Sequence, residues 1–144
     1  MSEKNTEELE NELAATDNLQ NFFEENKKNL REFTLSEYLN YLLETKNLSK
    51  TEIVKKSQLG DYAYHIFAGR KNTSRSKILA LALAMELSFE ECQHLLYYAG
   101  VKELYARDAW DDVIIYALQN HLSLRETNEL LVDFGQTPLL GNLS

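Results

Sequence analysis

The sequence predicts an all-α fold, and two observations support this prediction. Strand signals are missing, because alternating β-branched runs between glycine-rich turns do not occur and the chain has only five glycines. Helix-start signals recur, because Ser/Thr-x-x-Glu stands four times ahead of a segment with helical apolar spacing. In such a capping box the hydroxyl and the carboxylate each accept a hydrogen bond from a free backbone N–H. The four pairs are Thr34 with Glu37, Ser49 with Glu52, Ser88 with Glu91, and Ser123 with Glu126.

The boxes and the apolar periodicity together place seven helices. In the third of these, Ala63, Ile66 and Phe67 follow the i, i+3, i+4 spacing of a core-facing stripe. Most of the other helices carry leucine at the same spacing, and the helix over 50–57 carries Ile53 and Val54. The predicted helices run over about 35–46, 50–57, 61–68, 75–86, 89–99, 109–120 and 124–134.

The N-terminal segment differs from the rest in composition. Residues 1–20 are acidic and poor in large apolar side chains, which predicts a mobile arm. Phe22, Phe23 and Leu30 indicate a short helix that begins near residue 19. We interpret these three side chains as a local attachment to the core, with a partner-binding motif as the alternative.

One segment of the chain is duplicated at an offset of 35 residues. Residues 82–104 and 117–139 are identical at nine of 23 positions. Each copy reads as the end of a helix, a Leu-Ser cap, a glutamate, a Leu-Leu pair and a glycine that ends the next helix. Two copies are too few for a solenoid, so we interpret them as a duplicated helix pair that extends the core.

Positive charge is concentrated in one segment of an acidic chain. The net charge is −8 overall, −7 over residues 1–45 and −7 over residues 81–144, whereas eight bases against two acids give +6 over residues 46–80. Exposed charges are screened beyond about 8–10 Å at physiological salt, so a local basic face still attracts phosphate. The alternative is a solvated face without a ligand.

The basic segment has the layout of a DNA-binding helix-turn-helix. Helices over 50–57 and 61–68 are joined by the turn SQLG, so the first is expected to cross the DNA backbone and the second to enter the major groove. Side chains at the tip and outer face of the second helix are candidate base or sugar contacts, and the bases around it are candidate phosphate contacts. The predicted DNA-binding residues are Lys50, Thr51, Asp61, Tyr62, Tyr64, His65, Arg70, Lys71, Asn72, Arg75 and Lys77.

From about Leu35 to Leu87 the sequence resembles the phage-repressor-like regulators of bacteria and phages, of the Cro and lambda-repressor type. The resemblance rests on Leu48-Ser49, Ile53-Val54, Leu59, Ile66, Gly69, the following RKN and the run LALALAMELS. It implies a five-helix lambda-repressor-like helix-turn-helix domain, here extended by a C-terminal helix pair. The chain departs from the family pattern at Lys50, Phe67 and Thr73, where Gln, an acid and Pro are common, and in the turn, which is one residue shorter.

The domain prediction is a mobile acidic arm over 1–20, the helix-turn-helix domain over 21–100 and a helical extension over 101–144 packed on it. The resemblance implies a sequence-specific regulator of transcription that occupies an operator in double-stranded DNA, as a homodimer. The acidic C-terminal helices would then supply assembly or protein-partner contacts. The alternative is that the same fold serves as a protein-interaction module, antitoxin-like or adaptor.

We expect neither an enzyme nor a cofactor or metal site. The histidines stand on three different predicted helices without ligand spacing, and no nucleophile elbow or phosphate-cradling glycine loop occurs. Cys92 falls on an apolar face, which predicts a buried small side chain. Because the N-terminus is polar and no 18-residue apolar run occurs, we expect a cytoplasmic protein without a membrane span. The aromatic side chains Tyr97, Tyr98, Tyr105, Trp110 and Tyr116 indicate either core packing or an interface.

Overall fold

The described part of the chain is all-α, as the sequence predicts. The computed structural model describes residues 4–26, 33–70 and 73–140. Within them the backbone forms nine helices and no strand. The chain divides into two compact units, Met1–Glu32 and Phe33–Ser144. The helices are α1 (Thr6–Ala15), α2 (Leu19–Glu25), α3 (Leu35–Thr45), α4 (Lys50–Ser57), α5 (Asp61–Phe67), α6 (Arg75–Ala84), α7 (Phe89–Tyr98), α8 (Ala109–Gln119) and α9 (Leu124–Asp133).

The first unit contains the short helix predicted near residue 19, which is α2, and a further helix that the sequence reasoning missed. Residues 6–15 form α1, where composition had predicted only an arm. Asn5 caps α1 by accepting a hydrogen bond from the amide of Glu8 at 2.8 Å. Asn26, at the end of α2, donates to the carboxylate of Glu12 at 2.8 Å, and Lys4 pairs with the same carboxylate. The mobility of this arm stays a prediction.

The core of the second unit is built around α6. The run from Ile78 to Ala84 is buried on every side of the helix. This burial follows from the position of α6, which packs against α4, α7, α8 and α9. The predicted inward side chains of α3 and α5, among them Leu39, Leu42 and Ile66, are also fully buried.

The predicted capping boxes form completely at three of four helix starts. At Thr34, Ser88 and Ser123 both halves of the box are present. At Ser49 only one half forms, because the hydroxyl accepts from the amide of Glu52 at 3.4 Å while no return bond closes the box. The helix start itself is where the pattern placed it.

Three helix connections share one backbone conformation. Asn47, Glu86 and His121 adopt φ of 53°, 53° and 54°, the left-handed region. Each is followed by a leucine whose amide bonds back to the preceding helix, and then by the capping serine. This connection joins α3 to α4, α6 to α7, and α8 to α9 through four residues in each case.

The duplicated helix pair is confirmed in the backbone and side-chain bonds. Gln93 exchanges two hydrogen bonds with the backbone of Leu104, at 2.7 and 2.9 Å. Thirty-five residues later, Asn128 accepts from the amide of Leu139 at 2.6 Å. Each pair therefore holds the segment after its second helix through the same position.

Within the described residues, no helix is both long and apolar enough to cross a membrane. The longest helices there, α3 and α8, have 11 residues each. A helical span needs about 20 residues.

Candidate nucleic-acid interface

A tight turn connects α4 to α5. Ser57 is fully buried, and its hydroxyl donates to the carbonyl of Val54 at 2.7 Å while accepting from the amide of Leu59 at 3.3 Å. Gln58 takes the left-handed conformation with φ 60° and ψ 19°. Gly60 adopts φ 61° and ψ −142°, a region that only glycine occupies readily. These bonds and the glycine fix the direction in which α5 leaves the turn.

The other end of α5 is held by α3. The carbonyl of Phe67 accepts hydrogen bonds from the hydroxyl of Ser36 and from the side-chain amide of Asn40, the latter at 3.0 Å. Gly69 then ends the helix with φ 76°. A Cβ at Gly69 would lie 3.4 Å from the Cβ of Ser36, so α3 approaches this position closely. The start of α5 is therefore positioned by the turn that follows α4, and its end by α3.

The outer face of α5 carries the residues predicted as base contacts. Ala63, Ile66 and Phe67 are buried, as the spacing predicted. Asp61 and Tyr64 are exposed, and Tyr62 and His65 are partly exposed. Asp61 and His65 are four residues apart on a helix, so they share one side of it. Asp61 and Tyr64 therefore extend toward solvent, and His65 does so in part. Tyr62 is partly exposed but packs against the core.

Three bases lie around this helix. The ammonium of Lys77 is 4.0 Å from the ring centroid of Tyr62. The ammonium of Lys50 is 5.5 Å from the ring centroid of Phe67. On the exit from α5, Arg70 donates from Nε to Nδ1 of His65 at 3.1 Å.

Lys50 of α4, Lys77 of α6 and Arg70 of the loop therefore place positive charge next to α5. The two lysine contacts are cation–π interactions, which leave the ammonium groups able to donate hydrogen bonds. Arg75, two residues before Lys77 in the sequence, instead binds groups within the protein. It donates four hydrogen bonds within the protein, to Asp111 at 3.1 and 2.8 Å and to the carbonyls of Lys102 and Glu103 at 2.7 and 3.2 Å.

Arg75 therefore has partners that a phosphate would have to displace. We assign it the role of joining α6 to α8, and its predicted phosphate contact has no support in the geometry. Lys46, at the other edge of the basic segment, pairs with Glu91 at 3.0 Å. By contrast, no carboxylate in the described residues pairs with the five remaining bases of the segment that the structure describes. These are Lys50, Lys55, Lys56, Arg70 and Lys77.

The remaining predicted contacts are placed as follows. Thr51 is exposed on the first turn of α4. Lys71 and Asn72 lie outside the described residues. Lys55 and Lys56, exposed on the last turn of α4, add to the positive surface but were not among the predicted contacts. Both lysines belong to the basic segment over residues 46–80, but the helix-turn-helix pattern did not predict them as DNA contacts.

Among the described residues, the geometry gives neither a reactive cysteine nor a metal-binding cluster. Cys92 is fully buried, as predicted, and burial raises the pKa of its thiol to about 12. Such a thiol stays protonated and is a poor nucleophile. In the described part of the chain, no three His, Cys, Asp or Glu side chains cluster so as to hold a metal ion.

The aromatic group between the two helix pairs divides between the two interpretations. Tyr98 and Trp110 pack against the core. Tyr97, Tyr105 and Tyr116 remain about half exposed, at 50 %, 52 % and 53 %. Core packing therefore accounts for only part of the group.

Comparison with known proteins gives no match: no family model, no curated protein and no solved structure is similar enough to this chain to count as one. The functional conclusion therefore depends on the residues and their geometry.

Proposed function

We propose that the protein is a sequence-specific DNA-binding regulator of transcription, of bacterial or phage type. In this proposal α3–α7 form a lambda-repressor-like helix-turn-helix domain, and α8 and α9 extend it. Helix α4 crosses the DNA backbone and α5 enters the major groove of an operator. The observation that carries the proposal is the group of bases around α5 that have no carboxylate partner.

The contrast within the basic segment supports this interpretation. Lys46 and Arg75 are used in ion pairs with Glu91 and Asp111, whereas the bases next to α5 are not. An acidic protein gains no stability from leaving like charges together, because repulsion between them is unfavourable. Unpaired clustered bases are typical of phosphate contacts, which release counterions and supply most of the affinity.

Two groups of contacts follow from the placement. Lys50, Arg70 and Lys77 would neutralise phosphates on either side of the groove and fix the register of the protein. Asp61, Tyr64 and His65 would face the base edges. A carboxylate accepts a hydrogen bond from cytosine N4, so Asp61 favours a cytosine at one position of the operator.

A selection from a random duplex library tests sequence specificity. The intact protein is expected to enrich one motif, and genomic DNA captured by the same protein should contain it. A palindromic motif would support the predicted homodimer, since half-site symmetry follows protein symmetry. If the protein binds duplex but enriches no motif, sequence-specific recognition is contradicted, whereas binding through phosphates is not.

The second candidate function is a protein-interaction module that keeps the helix-turn-helix fold without reading DNA. It is favoured by the exposed aromatic side chains of the C-terminal helices, Tyr116 and Phe134. A protein that binds no duplex at low salt but binds a protein partner would favour this candidate.

A further inference from the structure

An apolar groove lies between α8 and α9, and none of its lining residues belongs to the elements that would contact DNA. Its volume is about 590 Å³. Two aromatic side chains in it extend largely into solvent, with Tyr116 53 % and Phe134 68 % exposed. Exposed apolar patches of this kind are found at interaction surfaces more often than on the rest of a protein's surface. Six of its lining residues are Ala109, Asp112, Val113, Tyr116, Leu130 and Phe134.

The duplicated helix pair indicates what kind of element covers such a groove. At the offset of 35, Tyr116 and Leu130 correspond to Leu81 and Leu95. Both of these leucines are fully buried. Helix α8 packs on both helices of that first pair, α6 and α7. In the described residues the second pair keeps Tyr116 and Phe134 exposed, so a helix from outside these residues fits this position.

The charge around the groove distinguishes between possible occupants. Asp112 lines the groove, and Glu129 and Asp133 are exposed on α9. Residues 109–140 contain five acids and one base, Arg125, which gives a net charge of −4. A second copy of the chain would bring two acidic rims together, and their repulsion would oppose binding. A basic partner would instead be attracted to the acidic rim.

We propose that this groove binds one amphipathic α-helix of a partner protein, with an apolar stripe toward the groove and Lys or Arg along its flanks. The stripe, at i, i+3, i+4 and i+7, would bury Tyr116 and Phe134. The basic flanks would lie against Asp112 and Asp133. This inference is independent of DNA binding, because none of these residues belongs to α4, α5 or the loop that follows.

The probes are two matched sets of fluorescein-labelled amphipathic peptides whose apolar stripes vary between Leu, Ile and Phe, one set flanked by Lys and the other by Glu. Fluorescence anisotropy at low salt is expected to find binders in the Lys set, with the matched Glu peptides at least about tenfold weaker. The difference should shrink at high salt. Phe134→Ser should weaken the Lys peptides by about tenfold or more.

Tyr97→Ser is the matched control, since it removes another half-exposed aromatic side chain from α7. It should leave peptide binding unchanged. A measurement on the wild-type protein makes the test independent of how the variants fold. Adding a Lys peptide should shift the backbone amide resonances of Leu130 and Gln136, and not those of Ile53 and Val54 on α4.

Several results would overturn the proposal. One is that no Lys peptide binds below about 1 mM, or that Lys and Glu peptides bind equally. Another is that Phe134→Ser and Tyr97→Ser behave alike, or that the resonance shifts lie outside the groove. A wild-type dimer in sedimentation that becomes a monomer with Phe134→Ser would assign the groove to a second copy instead. Duplex binding is measured separately, so its failure leaves this result unaffected.

Discussion

The guanidinium of Arg75 donates two parallel hydrogen bonds to the carboxylate of Asp111, at 3.1 and 2.8 Å. The Asp111 side chain is only 3 % exposed, and one of its oxygens also accepts from the amide of Tyr105 at 2.9 Å. Arg75 begins α6 and Asp111 lies in the first turn of α8. This pair therefore joins α6 to α8.

Replacing Arg75 is expected to reduce stability strongly. Arg75→Ala leaves the Asp111 carboxylate buried without its cation, which lowers the free energy of unfolding by about 3 kcal/mol. Urea denaturation followed by circular dichroism measures this. The matched control is Arg70→Ala, an exposed arginine whose removal should change the free energy by less than about 0.5 kcal/mol. Equal effects of the two changes would mean that the pair does not hold α6 to α8.

Gly60 is expected to be required by its backbone conformation alone. A Cβ built at Gly60 meets no atom within 4 Å, yet φ 61° with ψ −142° is accessible almost only to glycine. Gly60→Ala should therefore lower the free energy of unfolding by about 2 kcal/mol without any clash. Gly100, with φ 71° and equally open space, is the control.

Gly100 ends α7 in the left-handed region, which other residues enter at a cost of about 1 kcal/mol. Gly100→Ala should therefore be milder than Gly60→Ala in the same denaturation experiment. The opposite order would contradict the conformation described for the turn between α4 and α5.

The capping box of α7 is expected to make stability depend on pH in the acid range. Burial raises the pKa of Glu91, but hydrogen bonds from the amide of Ser88 at 2.9 Å and from Lys46 at 3.0 Å outweigh it, so the pKa lies below its ordinary value. The unfolded state then binds the proton more readily than the folded state. This contribution is therefore present above the unfolded pKa and is lost as pH falls through the folded pKa.

Glu91→Gln removes this titration. Between about pH 6 and pH 3 the free energy of unfolding of the variant should fall less steeply than that of the wild type. Urea midpoints across this pH range measure the difference. Ser88→Ala removes the capping hydroxyl and should change the profile in the same direction. Identical profiles for the wild type and Glu91→Gln would contradict the role given to this carboxylate.

The helices of the second unit were predictable because their signals are local. A capping serine or threonine, a glutamate three residues later and an apolar period all lie within one helix. Four helices, α3, α4, α7 and α9, therefore begin directly after Thr34, Ser49, Ser88 and Ser123. The starts of α5, α6 and α8 follow other local patterns. Helix α1 was missed because its sequence has few large apolar side chains. Its Asn5 cap with Glu8 three residues later was the signal available.

The arrangement of the bases was only partly predictable. Charge counting found the segment, and the spacing put Ala63, Ile66 and Phe67 inward. Neither distinguishes Arg75 from Arg70, because what separates them is a partner 36 residues away in sequence. Long-range pairs of this kind depend on how α6 and α8 pack, which no local pattern contains.

The salt dependence of duplex binding tests the DNA-binding proposal most directly. Anisotropy of a labelled duplex of about 24 base pairs is measured for the wild type and for the triple change Lys50→Ala, Arg70→Ala and Lys77→Ala. The wild type should lose affinity steeply with salt, and the triple variant should bind more weakly with a slope lower by about 0.9 per phosphate contact removed. Arg125→Ala, which removes an exposed base from α9, should keep the wild-type slope. If no duplex binds at low salt, or if the triple variant binds like the wild type, the proposal is contradicted.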